Sequence, residues 1–205
     1  MQINIDKKTG ILLSIIGALL ISIVIVASAG MGNSSSEKDE LGMMGGHGHN
    51  SNSQMVGSDA MFLQMMIPHH EQAVVMSDLA LSISKDAEVL KLAKQIKDAQ
   101  APEIIKMQGL LADAGLNEDP GHSMGDGMGG MLTESDLSTL NSLSGSKFDA
   151  YWLRGMITHH KGALHMVTMI RDSNRPEFRN FGKEIVSVQT VEIEQMEKML
   201  SRMGA

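Results

Sequence analysis

The sequence predicts an all-α protein: an antiparallel four-helix bundle made of two repeated helical hairpins, preceded by an N-terminal membrane helix or signal sequence. Three observations predict this. Apolar residues recur at helical spacing, one long pattern of residues occurs twice, and a single uncharged run of bilayer length opens the chain. About 42% of the 205 residues are apolar, enough for a packed core. The apolar content is unusual in kind, with 19 Met against 4 Phe, 1 Trp and 1 Tyr.

Composition also narrows the chemistry. With no Cys, the chain has no disulfide framework, no thiolate metal ligand and no Cys nucleophile. A metal site must therefore use His, Met, carboxylate or backbone atoms. The net charge of -7 speaks against nucleic acid as a partner, because phosphate neutralisation needs a basic footprint.

Residues 1–29 form the leader. Ile11 to Ala29 carry no charge, Lys7 and Lys8 precede them, and Glu37, Lys38, Asp39 and Glu40 follow. The positive-inside rule then leaves the N-terminus in the cytoplasm and the rest of the chain outside it, membrane-anchored through this helix. Ala27-Ser28-Ala29 is an A-x-A pattern, so the alternative is a secreted or periplasmic protein cleaved near Ala29. Residues 30–58, rich in Gly, Ser, Asn, Met and His without periodicity, read as a flexible linker.

The domain spans 59–205. The first helix begins at Asp59, a suitable N-cap, and its stripe of Phe62, Met66, His69, Ala73, Met76 and Ala80 continues through Pro68, where a kink is expected. A second helix runs from about Ser84 to Ala114 with Pro102 as another expected kink and Gly115 as its stop, closing repeat one at 116. Residues 117–131 form a Met, His and Gly loop. In repeat two, residues 132–205, a short helix is expected near Thr133 to Leu143. A long one follows from about Ser146, with Asp149 as a capping-box partner, and the last runs from Pro176 to just before Gly204.

The repeat is explicit. Phe62-Leu63-x-x-Met66-Ile67-x-His69-His70-x-x-Ala73-x-x-Met76 returns 90 positions on as Trp152-Leu153-x-x-Met156-Ile157-x-His159-His160-x-x-Ala163-x-x-Met166. Ile96-x-x-x-Gln100-x-x-Glu103-Ile104-x-x-Met107 returns 89 positions on as Ile185-x-x-x-Gln189-x-x-Glu192-Ile193-x-x-Met196. Two hairpins can bury each other's apolar faces with pseudo-twofold symmetry. On that arrangement both His pairs, and a Gln and Glu from each hairpin, point inward. A buried carboxylate costs several kcal/mol unless paired or coordinated, and the facing imidazoles are the available partners.

Two readings of this polar layer stand side by side. In one, the His and Glu side chains close a hydrogen-bond network that sets helix register. In the other they hold a metal, the usual construction inside a bundle. Imidazole with carboxylate suits iron, manganese or zinc, whereas imidazole with thioether favours copper. The accompanying Met66, Met76, Met107, Met156, Met166 and Met196 favour copper, although a Met stripe is also ordinary core filler. Met43, Met44, His47 and His49 in the linker and His122, Met124, Met128 and Met131 in the loop form Gly-spaced tracts that could wrap a soft cation, or are plain low-complexity linker.

These motifs resemble the domain of unknown function 305 family of CopM-like copper-binding proteins, over about residues 59 to 205. Gly145-x-x-Phe148-Asp149 is a further point of resemblance. The resemblance implies a ferritin-like four-helix domain, exported to the periplasm or cell surface, with members linked to copper binding and tolerance. The family's characteristic residues fall on Met66, His69, His70, Met76, Gln100, Glu103 and Met107, and on Met156, His159, His160, Met166, Gln189, Glu192 and Met196. Two departures are Thr158 in place of the first copy's Pro68, and His165 as an extra histidine beside Met166.

The functional expectation is therefore a noncatalytic extracytoplasmic protein that buffers or traffics Cu(I) or Cu(II) through Met and His. Its partners would be metal ions, the membrane, and either a second copy or a copper-handling protein. The alternatives are a ferritin-like di-metal oxidase using iron, disfavoured because the chain has no Glu-x-x-His, and a structural bundle with no metal. No nucleophile, P-loop or dinucleotide motif supports another enzyme class.

Overall fold

The computed structural model describes residues 55, 57–119 and 128–205. The leader, the linker residues Met43, Met44, His47 and His49, and the loop residues His122 and Met124 lie outside the described residues, as does the side chain of Met128. Among the described residues the structure is helical, with no strand, and no helix is long and apolar enough to cross a membrane.

Helix α1 spans Gly57–Ile83 and α2 spans Ala87–Asp113; both run on through their internal prolines, Pro68 and Pro102. A 3-10 turn, Met128–Gly130, precedes the short α3, Glu134–Ser142. Helix α4 covers Gly145–Met166 and passes into the turn Val167–Met169, and α5 covers Pro176–Met203. The ends follow local chemistry. Asp86 caps α2 by accepting from the backbone N–H of Glu88 and Val89, and Thr133 with Asp136 forms a complete capping box on α3. Gly204, at φ +67°, ends α5 in the left-handed conformation.

Two capping expectations are corrected. Asp59 lies inside the first turn of α1, which starts two residues earlier, and its buried carboxylate accepts from Ser173 Oγ at 2.9 Å. Asp149 does not cap α4, whose N-cap is Ser144; it turns inward and accepts from Ser84 Oγ at 2.6 Å. The two bonds are counterparts in the repeat. Each joins the first helix of one hairpin to the interhelix turn of the other, and each serine hydroxyl also accepts the backbone N–H two residues on, from Asp86 or Arg175, at 3.1 Å. Burial thus turns an expected local cap into a tie between hairpins.

The core is divided into two lobes. One gathers the C-terminal half of α1, the N-terminal half of α2, the N-terminal half of α4 and the C-terminal half of α5, around Trp152, Phe148, Leu92 and Met196. The other gathers the opposite halves, around Phe62, Leu63, Leu111 and Phe178. This exchange of halves makes the helices of each hairpin antiparallel. Trp152 donates its indole N–H to the Met76 carbonyl at 2.9 Å, while its counterpart Phe62 packs edge-on against Phe181. Between the lobes lie the buried polar residues His69, His70, Gln100, His159, His160, Gln189 and Glu192.

Ser84→Ala and Ser173→Ala are each expected to destabilise the protein by about 1.5–3 kcal/mol, the usual value of a hydrogen bond to a charged group. Having no shared partner, the two losses should add to within about 0.5 kcal/mol in urea unfolding.

Candidate metal centre

The polar layer is built where α1 crosses α4. His69 and His159, counterparts in the repeat, stack there with ring centroids 3.6 Å apart and planes inclined by 31°. The neighbouring His70 and His160 rings lie 6.3 Å from them on their own helices and point outward to the second helix of each hairpin. His70 Nε2 meets Glu103 Oε2 at 2.8 Å and His160 Nε2 meets Glu192 Oε2 at 2.7 Å. Both glutamates therefore find the partners that their burial requires.

The partners assign the tautomers. A carboxylate can only accept, so His70 and His160 carry hydrogen on Nε2; the Gly129 carbonyl, 2.7 Å from His69 Nε2, requires the same of His69. On each of these rings Nδ1 is the nitrogen that these contacts leave over. Those three Nδ1 atoms are buried without a hydrogen-bond partner among the described residues, as are both ring nitrogens of His159 and the side-chain oxygens of Gln100 and Gln189. Burial, reinforced by the neighbouring imidazoles, pushes the His69 pKa down from 6.5 to about 3 and holds His159 well below its ordinary value. The stacked pair is thus a neutral, soft donor pair at working pH.

The thioethers surround this layer. Met66, Met107 and Met166 belong to one lobe and Met76, Met156 and Met196 to the other, so each lobe receives one Met from each of three helices. All six are buried. Met166 Sδ and the His69 ring edge flank the same point: a Cβ on Gly129 would lie 3.2 Å from the first and 3.4 Å from the second. His165 is exposed on α4, away from this layer, and Met131 is partly buried beyond the 3-10 turn. Among the described residues no three His, Asp or Glu side chains form a metal cage by themselves. Any centre here must include thioether or amide donors.

The two halves are unequal because the interhairpin segment crosses both helices of the layer but accepts a hydrogen bond from His69 alone of the stacked pair. Gly129 accepts from His69, and Gln72 clasps Leu132 in both directions, donating to its carbonyl at 2.9 Å and accepting from its N–H at 2.7 Å. Close approach depends on glycine. A Cβ on Gly162 would fall 1.4 Å from the Gly129 carbonyl oxygen, and one on Gly130 would fall 2.3 Å from the Thr158 carbonyl oxygen. Gly129 and Gly130 also have φ of +63° and +77°.

Sequence reasoning selected the His, Met, Gln and Glu residues of the layer but missed this strap of residues 128–132. The available signal was the broken repeat, since Gly162 stands where the first copy has Gln72.

Residues 59–200 match the family described as domain of unknown function (DUF305), and the chain belongs to that family. A DUF305 protein from Streptomyces coelicolor, taken to be secreted, is 31% identical and superposes with a TM-score of 0.66 over 72% of this chain and 94% of its own. A DUF305 fragment from Deinococcus radiodurans, also 31% identical, gives a TM-score of 0.67 over 72% of this chain and 98% of its own. CopM in its Cu(II)-bound form is 30% identical with a TM-score of 0.63, and in its Cu(I)-bound form 29% identical with 0.59, each over 70% of this chain and 96% of the other. No curated protein matches the sequence.

Two outcomes are expected. Gly162→Ala should unseat the strap, costing about 1–3 kcal/mol and raising hydrogen exchange at the Leu132 N–H. Neutral His69 and His159 also set the pH response of the metal-free protein. Because the unfolded chain takes up protons near pH 6.5 while the folded pair resists them, stability should fall as pH drops below about 6.5 and keep falling toward about 3. The slope should reach about 1.4 kcal/mol per pH unit for each imidazole, and His159→Gln should remove one imidazole's share in pH-dependent urea melts.

Proposed function

We propose that this protein is a noncatalytic copper-binding member of the family, with a ferritin-like four-helix domain held outside the cytoplasm and acting in copper buffering or transfer. The observation that carries the reading is the set of buried, unpaired imidazole nitrogens between two groups of buried thioethers. Neutral imidazole and thioether together favour copper, above all Cu(I), over harder ions. The copper-bound forms of CopM, at 29–30% identity, support the same choice. The Streptomyces coelicolor relative and the apolar leader support the location and the anchor.

Within this reading His69 and His159 are the central ligands, joined by Met66, Met107 and Met166 on one side or Met76, Met156 and Met196 on the other. Glu103 and Glu192 act through His70 and His160, holding each ring by its Nε2–H so that Nδ1 is free to bind, the common outer-shell arrangement. Bound copper would supply a soft cation for these imidazole and thioether donors to hold. A purely structural layer is the second reading, favoured by the two closed His–Glu pairs.

One experiment separates the readings. The full-length protein is loaded in turn with Cu(I), Cu(II), Zn(II) and Fe(II), desalted, and assayed for bound metal and melting temperature. Copper should be retained and should stabilise the fold by about 3 kcal/mol when free copper stands 100-fold above Kd. His69→Ala with His159→Ala should lower copper affinity at least tenfold. An unchanged melting temperature with every metal would leave the layer structural, and oxygen consumption by the iron-loaded protein would favour the oxidase.

A further inference from the structure

Away from the polar layer, the end of α4 and the start of α5 enclose a groove of about 320 Å³. Its floor is apolar, formed by Leu164, Val167, Gly182 and Val186, and Arg171, Arg179 and Lys183 stand along it. Gly182 lets α5 lie low against α4, since a Cβ there would come within 2.9 Å of Val167 and 3.2 Å of Ile170. Arg171 pairs with the exposed Asp172, Arg179 donates to the Ser173 carbonyl, and Lys183 has no ion-pair partner among the described residues.

The first hairpin supplies an internal comparison at the same place in the fold. At the positions of Thr168, Arg171, Arg179, Lys183, Val186 and Ser187 it carries Asp78, Leu81, Leu90, Lys94, Lys97 and Asp98. There Lys97 pairs with Asp78 at 2.5 Å and Lys94 with Asp98 at 2.5 Å, so the cations are neutralised. In the second hairpin both carboxylates are gone, two leucines have become arginines, and Val186 replaces the lysine that closed the face. Across these six positions the formal charge changes from zero to +3, or to +2 once Asp172, which pairs with Arg171 and replaces Ser82 of the first hairpin, is counted, within a chain whose net charge is -7. Cations gathered around an apolar floor, with Lys183 lacking the carboxylate that its counterpart Lys94 has in Asp98, suit a ligand with one anionic end and one apolar end.

We infer that this groove binds a small amphiphilic anion, a medium-chain alkyl carboxylate. Its head would lie among Arg171, Arg179 and Lys183, whose planar guanidinium groups match a carboxylate fork. Its tail would cover Leu164, Val167 and Val186. The volume lies at the small end of the range of about 300–1,000 Å³ seen for ligand pockets, which fits a single short chain better than a diacyl lipid. The site is independent of copper: none of its residues belongs to the polar layer.

The test is titration calorimetry of the full-length protein with decanoate below its micelle concentration, with decanol and acetate as the two half-ligands. Decanoate should bind one to one, and each half-ligand at least tenfold more weakly. Arg171→Gln with Lys183→Gln should weaken decanoate at least tenfold. Thr168→Asp with Val186→Lys, which rebuilds the ion pair of the first hairpin, should do the same while leaving the melting temperature unchanged or higher. Equal binding of decanol and decanoate, equal binding of acetate and decanoate, or wild-type affinity in both double variants would overturn the inference.

Discussion

Everything in this fold is arranged around one contact, the stacking of His69 on His159 where α1 crosses α4. Two imidazoles with centroids 3.6 Å apart in a buried layer cannot both carry charge, so the crossing demands neutral rings. Neutral rings in turn need an account of each nitrogen. The surrounding structure gives part of it: carboxylates hold the adjacent histidines by Nε2, and the Gly129 carbonyl holds His69. What is left over is a set of buried ring nitrogens without a hydrogen-bond partner among the described residues.

That constraint explains why the hydrophobic core is split. Apolar residues fill both ends of the four long helices, and the polar layer interrupts them at mid-height, where the repeat places His-His on α1 and α4 and Gln-x-x-Glu on α2 and α5. A continuous apolar core would be more economical in desolvation, since buried ionic groups commonly cost stability relative to apolar replacements. Stability is therefore secured at the ends, through Trp152, the Phe62–Phe181 contact and the reciprocal Asp59–Ser173 and Asp149–Ser84 bonds.

The pseudo-symmetry is exact enough to pair residues and loose enough to let the halves differ. One strap can join two hairpins only once, so the His69 ring donates to it while the His159 ring has no hydrogen-bond partner among the described residues. The same freedom appears at the surface, where one hairpin closes its face with ion pairs and the other opens a cationic groove. The repeat supplies two copies of one scaffold, and the departures between them at the strap and at the groove change the local contacts.

Helix number, the hairpin repeat and the inward-facing His, Met, Gln and Glu residues were legible in the sequence, because helical periodicity and a repeat at 89 to 90 positions are local properties of the chain. The nearest-neighbour chemistry was not. Asp59 and Asp149 read as caps because a carboxylate at a helix start ordinarily serves the backbone, and only the packing of one hairpin on the other puts a serine hydroxyl within reach instead. Nor does a helical glycine such as Gly162 announce by itself that the strap passes through the space its missing Cβ leaves. The sequence by itself determined which side chains enter the centre of the domain. Tertiary structure alone decided which nitrogens have partners, because that depends on contacts between residues 32 to 114 positions apart, which no local pattern encodes.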